Sequence, residues 1–267
     1  MLRRAARGVV RARCFSSAID DALGVDDALR NRATELVAAL RSRGFYSFPI
    51  LTLPQTAAMR AEAAKLYAEG KFEQSYSEVN GVRVAKPGVH SIELDGDEWA
   101  ACPSLLCYTR EVLLTLPGLL NSEFETLRIS ERVYGTKLAV TLGGGARYPL
   151  HVDNVGLPDT RKLTAIVYLN PGWSDVPAPS GRESNGGELR LWTTPEDCVD
   201  IGADGGVFVL FWSDQLPHEV LPCFEPSEAG HRYALTLWLV SENLAQIADD
   251  DHPLAPARHA LFPPLAQ

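Results

Sequence analysis

Phe211-Trp212-Ser213-Asp214-Gln215-Leu216-Pro217-His218-Glu219-Val220 reads as a buried apolar strand that ends, turns, and gives way to a second strand. The same pattern extends to both sides. Short β-rich runs fall at 126–131, 136–142, 147–154, 162–169, 187–192, 206–213, 218–222 and 231–240, with Gly, Pro, Asn and Asp between them. Many short strands divided by turn residues predict a sandwich or jelly roll. No unit repeats at a fixed period, which excludes a solenoid. The Pro-, Ser- and Gly-rich stretch from Ser174 to Gly187 reads as a surface loop.

Upstream of residue 126 the pattern is helical. Asp26 is placed to cap a helix carrying Leu29, Ala33, Leu36, Val37 and Leu40, with Gly44 as its stop. Phe45 to Leu51 reads as a strand. Thr52 and Gln55 form a capping-box pattern before a helix from about Pro54 to Glu69, ended by Gly70. Residues 73–100 read as a long loop or hairpin, and a third helix over 103–115 is expected to break near Pro117. The fold class is therefore mainly β with N-terminal helices. Residues 17–125 form a helical support, 126–245 the β domain, and 246–267 a Pro-rich tail.

With 267 residues, 46% apolar and 22% charged, the composition is that of an ordinary globular chain. The net charge of -9 argues against binding a phosphate backbone, so no nucleic-acid partner is expected. No apolar run reaches the roughly 18 residues of a membrane span. A monomer with no membrane partner is expected. The cysteines (Cys14, Cys102, Cys107, Cys198, Cys223) are odd in number and form no CxxC pair; they read as small buried hydrophobes rather than a disulfide or zinc framework. Residues 1–16 carry Arg3, Arg4, Arg7, Arg11 and Arg13 and no acid, with Ser16 and Ser17 following Phe15. That is the pattern of a transit peptide, most simply mitochondrial, with plastid or cytoplasmic location as alternatives.

The chemistry is concentrated in three places. In Tyr148-Pro149-Leu150-His151-Val152-Asp153-Asn154, strand geometry turns His151 and Asp153 to the same side. On its own His-x-Asp is a weak signal. A distant histidine is needed to complete a two-histidine, one-carboxylate set whose open face suits non-haem Fe(II). His218, at the strand boundary quoted above, is the natural third member. His90, His231, His252 and His259 fit the jelly-roll position less well.

The third place is His231-Arg232-Tyr233-Ala234-Leu235-Thr236-Leu237-Trp238-Leu239-Val240. An arginine facing a jelly-roll interior is costly unless an anion meets it, and a bidentate carboxylate is the best such partner. The distal carboxylate of 2-oxoglutarate is such a group, with its 2-oxo acid end on the iron and one position left for O2. Tyr168 and Thr236 are placed to donate hydroxyls to the same carboxylate. Taken alone, Tyr168 is a half-buried strand aromatic.

Read together, Tyr148-x-x-His151-Val152-Asp153-Asn154, Tyr168-Leu169-Asn170, Gly186-Gly187-Glu188-Leu189-Arg190, Phe211-Trp212-Ser213-Asp214, Pro217-His218-Glu219-Val220 and Arg232-Tyr233-Ala234 resemble the prolyl 4-hydroxylase branch of the Fe(II)- and 2-oxoglutarate-dependent oxygenases. Within it the resemblance is greatest to the hypoxia-inducible-factor prolyl hydroxylases and the protist enzymes that hydroxylate Skp1. It covers about residues 130–242. It implies a double-stranded β-helix of the cupin-like jelly-roll type, with Fe(II) on His151, Asp153 and His218. It also implies 2-oxoglutarate on Arg232 and Tyr168, O2 as co-substrate, and ascorbate as reductant. Arg161 matches a basic position near the substrate entrance and Trp238 an aromatic near the iron. One departure is Thr141, where the family usually has a tyrosine ten residues before the first histidine ligand. The gap from His218 to Arg232 and the 174–187 loop are also longer.

The resemblance implies hydroxylation of a prolyl residue in a protein or peptide, with a link to oxygen sensing. A 2-oxoglutarate oxygenase acting on a small metabolite is the alternative, and a non-catalytic binding module is a third reading.

Overall fold

The structure is a computed structural model and describes residues 10–11, 22–79, 82–176, 178 and 180–262. Apart from the two-residue strand β1 (Val10–Arg11), the arginine-rich segment lies outside the described residues, so the transit-peptide reading is not addressed.

The N-terminal region starts with α1 (Val25–Asn31) and α2 (Ala33–Ser42). Asp26 does not cap this helix. Gly24 occupies the N-cap in a left-handed conformation, and Asp26 lies in the first turn, where its charge favours the helix dipole. Strand β2 (Phe45–Pro49) leads to α3 (Leu53–Ala68), whose capping box from Thr52 and Gln55 is formed in both directions. Residues 73–100 become a hairpin, β3 (Glu73–Val79) and β4 (Val82–Ile92), followed by α4 (Gly96–Ala101).

Helix α5 (Pro103–Glu123) does not break at Pro117. A proline inside a helix costs about 3 kcal/mol. Here Leu113, Leu116, Pro117 and Leu120 are all buried, and packing of that face carries the helix through.

The β region contains β5 (Ile129–Thr141), β6 (Ala146–His151), β7 (Arg161–Tyr168), β8 (Leu189–Trp192), β9 (Cys198–Ile201), β10 (Val207–Trp212), β11 (His218–Cys223) and β12 (Arg232–Ser241). The runs 126–131 and 136–142 are parts of one long strand, β5, because β12 pairs with it from Thr141 back to Ile129. Two antiparallel sheets form the jelly roll. The large one runs β2-β10-β7-β12-β5-β4-β3, with β1 also on β5; the small one runs β6-β11-β8-β9. The support region is thus not purely helical, since β2, β3 and β4 extend the large sheet at both edges. Its helices cover that sheet's outer side through Leu36, Leu40, Met59, Leu105, Leu116 and Leu120.

The segment after residue 245 is docked. Helix α6 (Ala255–Leu261) buries Ala255, Ala257 and Arg258, and Arg258 donates to the Asp214 carbonyl and to Gln215 Oε1. Among the described cysteines, Cys102, Cys107 and Cys223 are buried and Cys198 is exposed, and none is in a disulfide.

Candidate metal centre

Both candidate histidines sit on the small sheet, on neighbouring strands. His151 ends β6, His218 opens β11, and the two are paired in register. Tyr148 pairs with Val220, so Pro149 and Leu150 on β6 face Glu219 alone on β11, and a bulge lies between. Val220 and His218 share a face of β11. The bulge therefore turns Tyr148 and His151 into the same interior despite their odd spacing. The loop after β6 carries Asp153 into that space.

The three side chains converge. Their ligand atoms lie within 4.8 Å of one another, with His151 Nε2 3.6 Å from Asp153 Oδ1 and His218 Nε2 3.8 Å from Asp153 Oδ2. Each imidazole is fixed from behind. His151 Nδ1 lies 2.8 Å from the Pro149 carbonyl and His218 Nδ1 3.0 Å from the Leu216 carbonyl. A carbonyl only accepts, so both Nδ1 atoms carry the proton and both Nε2 lone pairs face the centre.

Protonation follows the same logic. Burial alone would raise the Asp153 carboxyl. The neighbouring imidazoles of His151 and His218 and the Arg161 guanidinium outweigh it and hold the group well below the ordinary carboxylate range. Burial, helped by the neighbouring His151, pulls His218 down to about 4. An ionised aspartate beside a neutral histidine is the state a divalent cation requires.

Asp153 is held by Thr164, which sequence reading missed, and by Trp238. Thr164 on β7 donates to Asp153 Oδ2 at 2.7 Å and lies 2.7 Å from the Ser213 hydroxyl. Trp238 Nε1 donates to the same Oδ2 at 3.1 Å. Thr164 and Trp238 are paired in register, which no spacing within one strand reveals. Asn154 is buried and pins the strand exit, donating to the carbonyls of Asp159 and Arg161.

Trp238 is therefore beside the carboxylate, as an aromatic near the centre. Arg161 is engaged elsewhere. Its Nε bonds both oxygens of Asp159, its Nη2 donates to the Asp153 carbonyl, and its guanidinium lies 4.8 Å from the Trp238 ring. Its contacts clamp the 153–161 loop.

Across the interior, Arg232 starts β12 and is buried. Its Nε donates to the Gly187 carbonyl at 2.7 Å, and its Cζ stands 4.8 Å from the Tyr168 ring centroid. Gly187 must be glycine. Its φ is +78°, and a Cβ there would meet Cys223 Sγ at 2.9 Å and Arg232 Cδ at 3.0 Å. No acidic side chain lies within 4 Å of Arg232 among the described residues. Tyr168 Oη and Thr141 Oγ1 are buried without a hydrogen-bond partner, and Thr141 is opposite Arg232 in the β5–β12 ladder. Burial raises the Tyr168 phenol, with Arg232 acting against it, so the hydroxyl stays a donor.

A buried guanidinium flanked by two orphaned hydroxyls fits a carboxylate. Thr236 lies on the same face between Arg232 and Trp238 and is only partly buried. Among the described residues its hydroxyl makes no hydrogen bond.

Comparison with known proteins agrees with this geometry. Residues 136–240 match the model of the 2OG-Fe(II) oxygenase superfamily. The chain is 40% identical over 111 residues to a hypoxia-inducible factor prolyl hydroxylase of Caenorhabditis elegans, a match that covers 40% of this chain and 13% of that protein. Among solved structures it is similar to the Trichoplax adhaerens prolyl hydroxylase in complex with a hypoxia inducible factor oxygen degradation domain peptide fragment. That likeness has a TM-score of 0.67 and 26% identity, over 81% of this chain and 92% of that one. It is also similar to a prolyl 4-hydroxylase from Phytophthora capsici (TM-score 0.65, 25% identity, 91% of this chain and 71% of that one). The match to the 2OG-Fe(II) oxygenase superfamily thus falls on residues 136–240, the stretch that holds the site, and the chain's relatives by sequence and by fold are prolyl hydroxylases.

Proposed function

We propose that this chain hydroxylates a prolyl residue of a protein or peptide. In this reading Fe(II) is held by His151, Asp153 and His218, and 2-oxoglutarate by Arg232 with Tyr168. Fe(II), 2-oxoglutarate and O2 together supply the oxidation of an unactivated C–H bond. The protein's part is positioning. Thr164 and Trp238 fix the Asp153 carboxylate, the Pro149 and Leu216 carbonyls fix the imidazoles, and the Gly187 carbonyl fixes Arg232.

The observation that carries the reading is the buried Arg232 with no acid beside it, between the unpartnered hydroxyls of Tyr168 and Thr141. A peptide rather than a metabolite is favoured by exposed apolar side chains. Tyr76, Val82 and Val84 lie on the β3–β4 hairpin, and Val155 and Leu157 on the loop after Asp153. Ascorbate as the reductant, and a monomeric enzyme, belong to the same proposal. So does a mitochondrial address in residues 1–16, which a fluorescent-protein fusion tests.

The enzyme test incubates the protein with Fe(II), ascorbate, 2-oxoglutarate and a panel of proline-containing peptides, and follows succinate and peptide mass. The reading expects succinate formation coupled to gain of one oxygen on proline, both lost in Arg232→Ala. Coupled turnover with a small metabolite and none with any peptide would move the assignment to the metabolite class.

A further inference from the structure

Two lysines meet at the mouth of this site. Lys86 comes from β4 and Lys137 from β5, and their ammonium groups stand 4.5 and 5.4 Å from the centroid of the Tyr148 ring. Tyr148 faces the same interior as His151 and His218, so the pair borders the metal centre. Among the described residues no acidic side chain lies within 4 Å of either ammonium. Neither donates a hydrogen bond there.

Burial, with the charge of Lys137 second, pulls Lys86 down to about 8, while Asp153 acts the other way. Contact with an aromatic ring returns only about 0.5–2 kcal/mol per cation. Two like charges held over one ring, in a chain of net charge -9, are a place prepared for an anion.

The 2-oxoglutarate carboxylate assigned to Arg232 does not serve. Arg232 is opposite Thr141 in the ladder, whereas Lys137 is opposite Thr236. The two ladder positions are four residues, roughly 13 Å, apart along β5. The carboxylate held by Arg232 is therefore not the anion that Lys86 and Lys137 face.

We propose that Lys86 and Lys137 bind a carboxylate of the prime substrate, next to the carbon that is oxidised. Resting on the prolyl reading above, that carboxylate is the side chain of an aspartate or glutamate flanking the target proline. A small acid with its own carboxylate presents the same chemistry from another source.

The test uses the Fe(II)-loaded enzyme and alanine-based peptides with one proline flanked by Asp, Ala or Lys, with free L-proline as the small-acid probe. Initial rates of succinate formation give KM for each. The Asp-flanked peptide should show a KM about tenfold below that of the Ala-flanked one, the size of one favourable partly buried ion pair. Lys86→Met/Lys137→Met keeps the stems over Tyr148 and should level that preference. Lys86→Glu/Lys137→Glu should turn it toward the Lys-flanked peptide. Thermal melting establishes that each variant is folded.

Turnover of all three peptides with no charge preference, or a preference that survives charge reversal, overturns the inference and leaves the prolyl reading standing. So does a rise in KM for 2-oxoglutarate in place of a change for peptide. Lysine-dependent stimulation by L-proline with no peptide turnover keeps the carboxylate site and removes the peptide. No stimulation by any probe removes both.

Discussion

Thr164→Val changes one hydroxyl for a methyl of nearly the same volume, behind the proposed metal ligand. The carboxylate can only accept, so Thr164 spends its proton on Asp153 Oδ2 and receives the Ser213 hydroxyl in turn. The substitution removes one of two donors to Oδ2, leaving Trp238 Nε1 at 3.1 Å, and strips the buried Ser213 hydroxyl of its acceptor. A hydrogen bond to a charged group contributes about 1.5–3 kcal/mol. Loss of a group that orients a metal ligand typically weakens metal affinity about 10- to 100-fold.

The assay is titration of metal-stripped protein with Fe(II) or Mn(II) under anaerobic conditions, by calorimetry, beside urea unfolding of the metal-free protein. The expected result is a 10- to 100-fold weaker metal Kd, with about 1–2 kcal/mol lost from the metal-free fold. Trp238→Phe should give a smaller change, because its bond is longer. A metal Kd within twofold of wild type in a folded Thr164→Val protein would refute the assignment of Thr164 as the support of Asp153.

Other consequences follow from the same contacts. Arg232→Ala should raise the KM for 2-oxoglutarate by about 100-fold or more, since breaking a buried charge pair costs about 3–5 kcal/mol; steady-state kinetics checks it. Lys162 and Asp214 are fully buried and 2.8 Å apart. Lys162→Met should destabilise the fold by about 3–5 kcal/mol in urea, because Asp214 keeps a buried charge whose carboxyl burial already raises. Thr52→Ala removes the capping box of α3 and should cost about 1 kcal/mol in the same measurement.

In the metal-free protein, burial holds His218 and His252 at about 4. Below the ordinary histidine value of 6.5 the unfolded chain binds protons that the folded one refuses. Stability should therefore fall as pH drops from about 6.5 toward 4, by up to about 1.4 kcal/mol per pH unit per histidine. Urea midpoints across that range, with His218→Phe as the control that reduces the slope, measure it.

What was legible in the sequence was what lies within one strand. The position of His218 after an apolar strand and an arginine in the apolar run 232–240 follow from strand geometry; His151 and Asp153 read as one strand, but β6 ends at His151 and Asp153 comes in on the loop beyond it. What was not legible depends on which strands are neighbours. Thr164 reaches Asp153 because β7 lies beside β12, and Lys86 meets Lys137 because β4 and β6 close the barrel mouth around Tyr148.

Local signals also lost to packing. Pro117 is a helix breaker overridden by its buried surroundings. The exposed Glu131 and Arg132 interrupt the apolar pattern of β5 without interrupting the strand. Strand β9 escaped notice because Cys198-Val199-Asp200-Ile201 is a short edge strand with three exposed residues.

The account rests on iron at His151, Asp153 and His218 together with 2-oxoglutarate at Arg232. The direct measurement is the visible spectrum of anaerobic protein given Fe(II) and 2-oxoglutarate, in wild type, His218→Ala and Arg232→Ala. The account predicts a weak charge-transfer band in the wild type. It predicts none in His218→Ala, and a band that needs far higher 2-oxoglutarate in Arg232→Ala. Absence of the band in wild type at every loading, or a band indifferent to both substitutions, would contradict it.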